Sequence, residues 1–312
     1  MRNDRTALIG YGYWGKKIYR YLKTVDGLEL SAVFFPSLKR LPADAIHKDY
    51  GSLFTPDIEP IWEDQSIGAV IIATPIDTHY SLVRLALSAG KHVLVEKPLT
   101  LSGEQAAELF SLARDKNRVL MTEYTYTFSQ ALQKAVELVR TGEIGRLRRV
   151  TVSLRQLGRF LPYDVFALLG SHALSIMGMF FDLTDCHVRA DPAMNVEGVA
   201  TSGTVVLRSA DDQVQGLIDL SLNCPRKDRC VTVYGEEGTI CYRPDAVPVL
   251  IWTRYVPSEK TDGYAREDHE LDFDEGHNLR RGLEKFSSAL RENTGDNREL
   301  AFQVSRILGE IK

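Results

Sequence analysis

The stretch Gly10-Tyr-Gly-Tyr-Trp-Gly15 follows the apolar run Ala7–Ile9 and precedes a helical pattern. A strand, a glycine turn and a helix in this order are typical of dinucleotide-binding domains. Gly10 allows a sharp turn, Gly12 lets a pyrophosphate approach the backbone, and Gly15 permits the helix to pack closely on the strand. The helix N-terminus offers free N–H groups to phosphates. We therefore predict a dinucleotide site here, the alternative being a tight turn that binds nothing.

Length and composition set mild limits on the class of protein. The chain has 312 residues, which is enough for about two domains at ~100–200 residues each. Its 44% hydrophobic and 26% charged residues are typical of globular proteins. A net charge of −4 without a basic patch argues against a nucleic-acid partner. We find neither a signal peptide nor an apolar run of ~20 residues, and so expect a cytoplasmic protein that binds no membrane.

The cysteines point to the same compartment. They show no CxxC spacing and no nearby histidine pair, which favours buried thiols over a disulfide framework or a metal site. We therefore predict that the protein binds no metal and works in a reducing environment. The four cysteines are Cys186, Cys224, Cys230 and Cys241.

The first part of the chain alternates between strand and helix patterns. The runs Gly68–Ala73 and His92–Val95 are apolar without alternation, as expected of parallel strands that are covered on both faces. Helical patterns lie between them and after them, at Ser81–Ala89 and Gly103–Arg114. This rhythm predicts an α/β fold, with a Rossmann-type doubly wound parallel sheet over residues 1–122.

The second part of the chain, residues 123–312, has a different pattern. Strands with alternating polarity recur between turns rich in Pro, Gly and Asp, and a helix at Asp164–Phe180 interrupts them. Two helices, Leu279–Arg291 and Arg298–Ile311, close the chain. We predict an α+β substrate-binding domain with a large, mostly antiparallel sheet.

The end of the second strand indicates which dinucleotide binds. An acid about 20 residues beyond the glycine turn would bind the ribose 2′-hydroxyl of NAD. Phe35 occupies that place, and Ser37, Lys39 and Arg40 follow it. A hydroxyl and two cations suit a 2′-phosphate, which a carboxylate would repel. We therefore expect NADP(H) to be preferred, with NAD(H) as the second candidate. The alternative is that Lys39 and Arg40 belong to a solvated loop.

Two further segments follow apolar strands, where open α/β sheets bind ligands. Ala73-Thr74-Pro75 can present a hydroxyl and backbone groups to the cofactor. His79 either contacts the cofactor or caps the next helix. In Glu96-Lys97-Pro98, the Lys97 ammonium can donate to a carbonyl or alkoxide oxygen, and partial desolvation would ease its proton transfer. Lysine at a strand end is otherwise an ordinary surface charge.

With these residues the chain resembles the Gfo/Idh/MocA family of NAD(P)-dependent oxidoreductases. The resemblance rests on the glycine turn, Ala73-Thr-Pro75 with His79, Glu96-Lys97-Pro98, Gly142-Glu-Ile-Gly145 and Gly170-Ser-His172. Tyr13-Trp14 and the stretch around His172 look most like members that act on sugar nucleotides. The residues expected to bind the cofactor are Gly10, Gly12, Tyr13, Trp14, Gly15, Phe35, Ser37, Lys39, Arg40, Ala73, Thr74, Pro75, His79, Glu96 and Lys97.

The resemblance implies that Lys97 and His172 handle the proton. Family members usually carry an aspartate four residues before this histidine, and here that position is Leu168. Ser175 stands where another aspartate is common. Asp164 lies too far along a regular helix to replace the missing acid, and is expected to cap that helix. The alternative for His172 is a histidine that packs in an amphipathic helix.

Candidate substrate contacts follow the last Rossmann strand and the first strand of the second domain. Arginine suits a phosphate or carboxylate, whereas the tyrosines can equally be core residues. These candidates are Tyr124, Tyr126, Arg155, Gln156 and Arg159.

Together these features predict an oxidoreductase that moves hydride between NADP(H) and a carbonyl or alcohol carbon of a sugar or sugar derivative. The alternatives are an NADP-dependent imine reductase and a regulatory protein that binds NADP without turnover, which Leu168 keeps open. The expected partners are a small-molecule substrate and, as the resemblance implies, further copies of this chain in a homodimer or homotetramer.

Overall fold

The computed structural model describes residues 5–41, 51–158, 163–258, 263–294 and 297–311. The chain divides into two compact units, Met1–Tyr124 with Leu279–Arg306, and Thr125–Asn278 with Ile307–Lys312. The sequence predicts one domain over all of 123–312, whereas residues 279–306 group with the first unit. Long-range hydrogen bonds account for this: Ser287 Oγ donates to the Asp26 carbonyl at 2.8 Å, and Asn297 Nδ2 to the Thr122 carbonyl at 2.7 Å.

The first unit contains a six-stranded sheet in the order β3-β2-β1-β4-β5-β6, in which every pair is parallel. The order reverses between β1 and β4, so this pair marks the switch point beside which such sheets bind ligands. The predicted doubly wound sheet is thus confirmed. Its strands are β1 (Arg5–Ile9), β2 (Glu29–Phe34), β3 (Phe54–Thr55), β4 (Ala69–Ile72), β5 (His92–Glu96) and β6 (Leu120–Glu123).

Within the described residues, four helices alternate with these strands. Their boundaries have local causes: Ser102 Oγ accepts a hydrogen bond from the Gln105 N–H at 3.3 Å, and Gly90 ends a helix with a positive φ of 75°. The helices are α1 (Tyr13–Leu22), α2 (Glu59–Glu63), α3 (His79–Ser88) and α4 (Gly103–Asp115).

The second unit contains an eight-stranded sheet in the order β14-β13-β12-β11-β7-β10-β9-β8. Only the β7–β10 pair is parallel, which confirms the mostly antiparallel prediction. The strands are β7 (Leu147–Leu157), β8 (His187–Val196), β9 (Val199–Arg208), β10 (Gln215–Ser221), β11 (Asn223–Gly235), β12 (Gly238–Tyr242), β13 (Leu250–Ser258) and β14 (Gly263–Leu271).

Helices cover one face of this sheet. The helices are α5 (Gln130–Arg140) and α6 (Ser171–Phe180), and α7 (Asn278–Glu292) and α8 (Arg298–Glu310) end the chain. In β7 the residues Val150, Val152 and Leu154 are buried, and Leu154 pairs with Leu220, which lies beside Gly170 just before α6. The intervening β7 residues lie on the opposite face, which we call the open face.

Three further observations concern membrane-spanning helices, the cysteine thiols and possible metal ligands. Each helix in the described ranges is too short or too polar to span a bilayer. Of the four thiols only Cys186 is buried, so the expectation of uniformly buried cysteines is wrong. Cys230 and Cys241 lie half-buried on adjacent strands with their Sγ atoms 3.9 Å apart. The described residues include no cluster of His, Cys, Asp or Glu arranged to hold a metal ion.

Candidate active site

The glycine turn lies at the carboxyl end of β1, and its first and third glycines are required by packing. Gly10 has φ +103°, and a Cβ there would lie 2.5 Å from the Ala73 carbonyl oxygen. A Cβ at Gly15 would overlap the Gly10 carbonyl. By contrast, a Cβ at Gly12 would meet no described protein atom within 4 Å. Protein packing therefore does not explain Gly12, whereas the close approach of a ligand to the backbone would.

Helix α1 begins directly after Gly12, so the N–H groups of its first turn have no acceptor within the helix. Tyr13 and Trp14 stand in this turn with 58% and 38% of their surface exposed. The Lys17 Nζ lies over both rings, at 4.4 and 4.3 Å from their centroids. The turn thus combines backbone N–H donors with a positive helix end and a nearby cation, which fits the phosphates of a dinucleotide.

The end of β2 carries the residues predicted to select NADP. Phe35 packs edge-on against Tyr11, with ring centroids 5.6 Å apart. Ser37, Lys39 and Arg40 are exposed in a short helical turn, Pro36–Arg40. The Lys39 Nζ is 2.9 Å from an Asp57 carboxylate oxygen, a hydrogen-bonded pair that raises the pKa of Lys39.

Asp57 was missed by the sequence analysis. It follows β3, a strand of two residues that no periodic pattern indicated, and it lies 18 residues beyond Lys39 along the chain. The structure thus places one acid beside the predicted phosphate-binding cations, although not at the position of Phe35.

His79 connects the two loops that follow β4 and β5. Its Nδ1 lies 2.7 Å from the Pro98 carbonyl oxygen and its Nε2 lies 3.0 Å from that of Thr74. The side chain is 1% exposed, and burial lowers its pKa. Both ring nitrogens therefore face backbone carbonyls, so His79 holds the loops in place through its polar atoms.

The Thr74 hydroxyl is also engaged inside its loop. It lies 2.7 Å from the Thr78 Oγ1, which is also 2.7 Å from the Pro75 carbonyl oxygen. Side-chain hydrogen bonds of this kind stabilise turns. What the loop Ala73–Pro75 presents at the strand end is therefore mainly its backbone.

Glu96 is the last residue of β5, the strand next to β4, and Lys97 directly follows it. Glu96 is buried and Lys97 is half-buried. Burial disfavours both charged forms, so the pKa of Glu96 rises, and the pKa of Lys97 falls to about 8 even though Glu96 opposes the change. A lysine with this pKa can exchange a proton near neutral pH.

His172 lies in the second unit, at the start of α6. The predicted continuous helix instead contains a π-helical turn, Phe166–Gly170, directly before it. Asp164 caps this turn, because its Oδ1 accepts from the Ala167 N–H at 2.7 Å. The Ser175 hydroxyl donates to the His172 carbonyl at 2.8 Å, so it serves its own helix. π-Helical turns often occur at functional sites.

Tyr126 and His172 pack edge to face, with ring centroids 5.3 Å apart. Burial raises the pKa of the Tyr126 hydroxyl, and the charge of Arg229 acts in the opposite direction. The Arg229 Nη2 lies 3.4 Å from the Gln156 Oε1. The structure thus brings together two predicted substrate contacts, the predicted catalytic histidine and an arginine that the sequence analysis missed.

A signal for Arg229 does exist in the sequence. Val231 and Val233 alternate on the buried face of β11, and continuing this alternation by two residues places Arg229 on the same face. The observed strand begins earlier, at Asn223, and includes this position.

The other substrate candidates have different positions. Arg155 lies on the open face and pairs with Asp228 at 2.6 Å and Asp219 at 3.5 Å, so it and Gln156 point to opposite faces of the sheet. Tyr124 is fully buried, which favours the core alternative. Arg159 lies outside the described residues.

Comparison with protein families identifies both parts of the chain. Residues 5–124 match the Gfo/Idh/MocA oxidoreductase family, described as an NAD-binding Rossmann fold. Residues 132–241 match the Gfo/Idh/MocA C-terminal domain. The first match contains the glycine turn and Lys97, and the second contains His172 and Arg229.

Individual relatives agree with these matches. An oxidoreductase structure from Magnetospirillum magnetotacticum MS-1 is 27% identical, covers 99% of both chains and has a TM-score of 0.80. A 3-ketoreductase from Actinomadura kijaniata, solved with TDP-benzene and NADP, has a TM-score of 0.82 at 17% identity over 98% of this chain and 96% of its own.

A levoglucosan dehydrogenase from Pseudarthrobacter phenanthrenivorans is 30% identical over 154 residues, 47% of this chain and 40% of its own. The first curated relatives are matched over only 37% to 57% of their lengths. Both family models and a full-length structural match nevertheless agree, and the chain belongs to the Gfo/Idh/MocA oxidoreductase family.

Proposed function

We propose that this protein transfers hydride between NADP(H) and a carbonyl or alcohol carbon of a sugar or sugar derivative. The observation that carries the proposal is Lys97, a half-buried lysine with a lowered pKa at the end of β5. It directly follows β5, and the glycine turn follows β1 of the same sheet, with β4 between the two strands. A proton donor near a dinucleotide site is what carbonyl reduction requires.

The reaction balances with one hydride and one proton. The bound nicotinamide would supply the hydride to the carbonyl carbon, and the carbonyl oxygen then needs a proton to become a hydroxyl. In our proposal Lys97 donates this proton from its ammonium group and recovers it from water. His172 is the second proton-handling residue and orients the substrate oxygen. Because one good acid is enough, Leu168 does not prevent the reaction.

NADP is the proposed cofactor because of the end of β2. Ser37, Lys39 and Arg40 are exposed there, and Phe35 carries no charge to repel a 2′-phosphate. The Lys39–Asp57 pair is also exposed, so its contribution in water is small and a phosphate can compete for the ammonium. NAD remains the second candidate, since Asp57 brings an acid to this region.

The sugar substrate is proposed from the names of relatives and from the polar site in the second unit. One relative is a levoglucosan dehydrogenase, and a protein of the same fold is a 3-ketoreductase bound to TDP-benzene and NADP. Tyr126, Gln156 and His172 supply hydroxyl, amide and imidazole groups, which suit the hydroxyls of a sugar. We further propose that copies of the chain pair through the open face of the eight-stranded sheet.

The test follows oxidation of NADPH and NADH with panels of ketosugars and cyclic imines. We expect turnover with ketosugars and NADPH. Lys97→Ala should lower kcat by roughly 10²–10⁴-fold, because the proton donor is lost, while NADP affinity stays nearly unchanged. Lys116→Ala, an exposed lysine of the same unit, is the matched control and should keep full activity.

Each other outcome has a defined meaning. Full activity in Lys97→Ala would refute the catalytic assignment. Equal rates with NADH and NADPH would contradict the cofactor preference. Turnover of imines alone would favour the imine reductase, and tight NADP binding without turnover on either panel would favour the regulatory protein.

A further inference from the structure

Arg229 lies on the helix-covered face of the second unit's sheet. It pairs with Leu154 on β7, and the next residues on its side of β11, Val231 and Val233, are buried. Arg229 is half-buried. A charged group in this position needs partners, because partial burial removes part of its hydration.

The other half-buried arginines of this sheet have acidic partners. Arg148 pairs with Glu236, and Arg155 pairs with both Asp219 and Asp228. Arg229, in contrast, forms no ion pair with any described residue, and its one hydrogen bond is the 3.4 Å contact with the neutral amide of Gln156. Most of its five N–H donors are therefore available for another acceptor.

Nearby acids do not supply that acceptor. The charges of Glu275 and Asp245 act on the pKa of Tyr126, as that of Arg229 does, but both carboxylates already have partners. The Glu275 carboxylate already accepts hydrogen bonds from Tyr242 at 2.7 Å, Ser129 at 3.0 Å and Asn278 at 2.9 Å. Asp245 pairs with Lys227 at 3.1 Å.

We propose that Arg229 binds an oxyanion of the substrate, a carboxylate or a phosphate, beside Tyr126 and His172. A guanidinium matches the planar geometry of either oxyanion through two parallel hydrogen bonds. Gln156 orients the guanidinium from the neighbouring strand. That the ligand is a substrate rests on the proposed function. If so, the substrate is an anionic sugar derivative rather than a neutral sugar.

The experiment measures binding by calorimetry to the full chain saturated with NADP. Two matched pairs of probes separate the sources of the anion: gluconate against sorbitol for a carboxylate, and glucose 6-phosphate against glucose for a phosphate. We expect one anion to bind at least 10-fold more tightly than its neutral partner, and Arg229→Met to remove that preference, since hydrogen bonds to charged groups have about this strength. Arg208→Met, an exposed arginine paired with Asp212, is the matched control and should retain it.

The pair that shows the preference identifies the oxyanion. Equal binding of both members in both pairs, an absence of binding by all four probes, or a preference that survives Arg229→Met would overturn the inference. Gln156→Leu should weaken the anion less than Arg229→Met does, because it removes only the orienting amide. If the protein shows the anion preference but oxidises no NADPH, the proposed reaction is refuted. The anion site at Arg229 is then still supported.

Discussion

At the scale of single residues, burial changes the chemistry of Lys97. An exposed lysine keeps its proton far above neutral pH and is a poor acid, whereas loss of hydration lowers the pKa of Lys97 to about 8. The adjacent Glu96 limits this change, because its negative charge favours the ammonium form. The same burial raises the pKa of Glu96, so two adjacent groups titrate closer to neutrality than they would in water.

This shift predicts the pH dependence of carbonyl reduction. In the proposed reaction Lys97 acts in its ammonium form, so kcat/KM should stay level below the lowered pKa and fall as pH rises through about 8. In the alcohol-oxidising direction the neutral amine is required, and the rate should rise over the same interval. Initial rates in both directions across this pH range check the prediction. A reduction rate that stays level up to the ordinary pKa of lysine, about 10.4, would contradict it.

At the scale of secondary-structure elements, strand ends and irregular turns carry the candidate site residues. Gly10 closes the turn between β1 and α1, and the π-helical turn Phe166–Gly170 precedes His172. Local residues predicted the glycine turn well, but not the π-helical turn, because its pattern of apolar residues fits an ordinary helix. The edge strands β8 and β14 were also missed. They carry Pro192 and the charged run Arg266–Glu270, which protect edges and hide the usual strand signal.

Two glycine variants separate the fold of the turn from its ligand. Gly10→Ala should lower the free energy of unfolding by roughly 1–3 kcal/mol, because its φ of +103° is strained for alanine and its Cβ would meet the Ala73 carbonyl. Gly12→Ala should leave stability unchanged but weaken NADP binding, because its φ is −77° and its Cβ meets no described protein atom.

Urea denaturation and calorimetric titration with NADP measure these two effects. Unchanged NADP affinity in Gly12→Ala would show that the pyrophosphate does not pass this residue. The same variant would then be only a neutral change on the surface of the turn.

At the scale of the whole molecule, the candidate site residues are divided between the two units. The first unit carries the dinucleotide turn and Lys97, and the second carries His172, Tyr126 and Arg229. The second unit also has an open sheet face on which Val206, Leu217 and Ile251 are half-buried within one row of paired residues. Apolar residues on such a face favour pairing with another copy of the chain.

We therefore predict a mass in solution of at least twice the 35.1 kDa of one chain. Leu217→Asp places a charge in this row of the open face and should produce monomers, because burial of an unpaired carboxylate is unfavourable. Leu85→Asp, an exposed leucine of the first unit, is the control and should leave the mass unchanged. Light scattering after size-exclusion chromatography measures both, and a monomeric unmodified protein would refute the prediction.

The sequence by itself determined the two fold classes, the glycine turn and the place of Lys97 at a strand end. These depend on local patterns, since strand, turn and helix signals lie within a few residues of one another. Only the tertiary structure decided that Asp57 meets Lys39, that residues 279–306 join the first unit, and that Arg229 contacts Gln156. Each of these contacts joins residues that are distant along the chain, and the packing of strands and helices sets which of them meet.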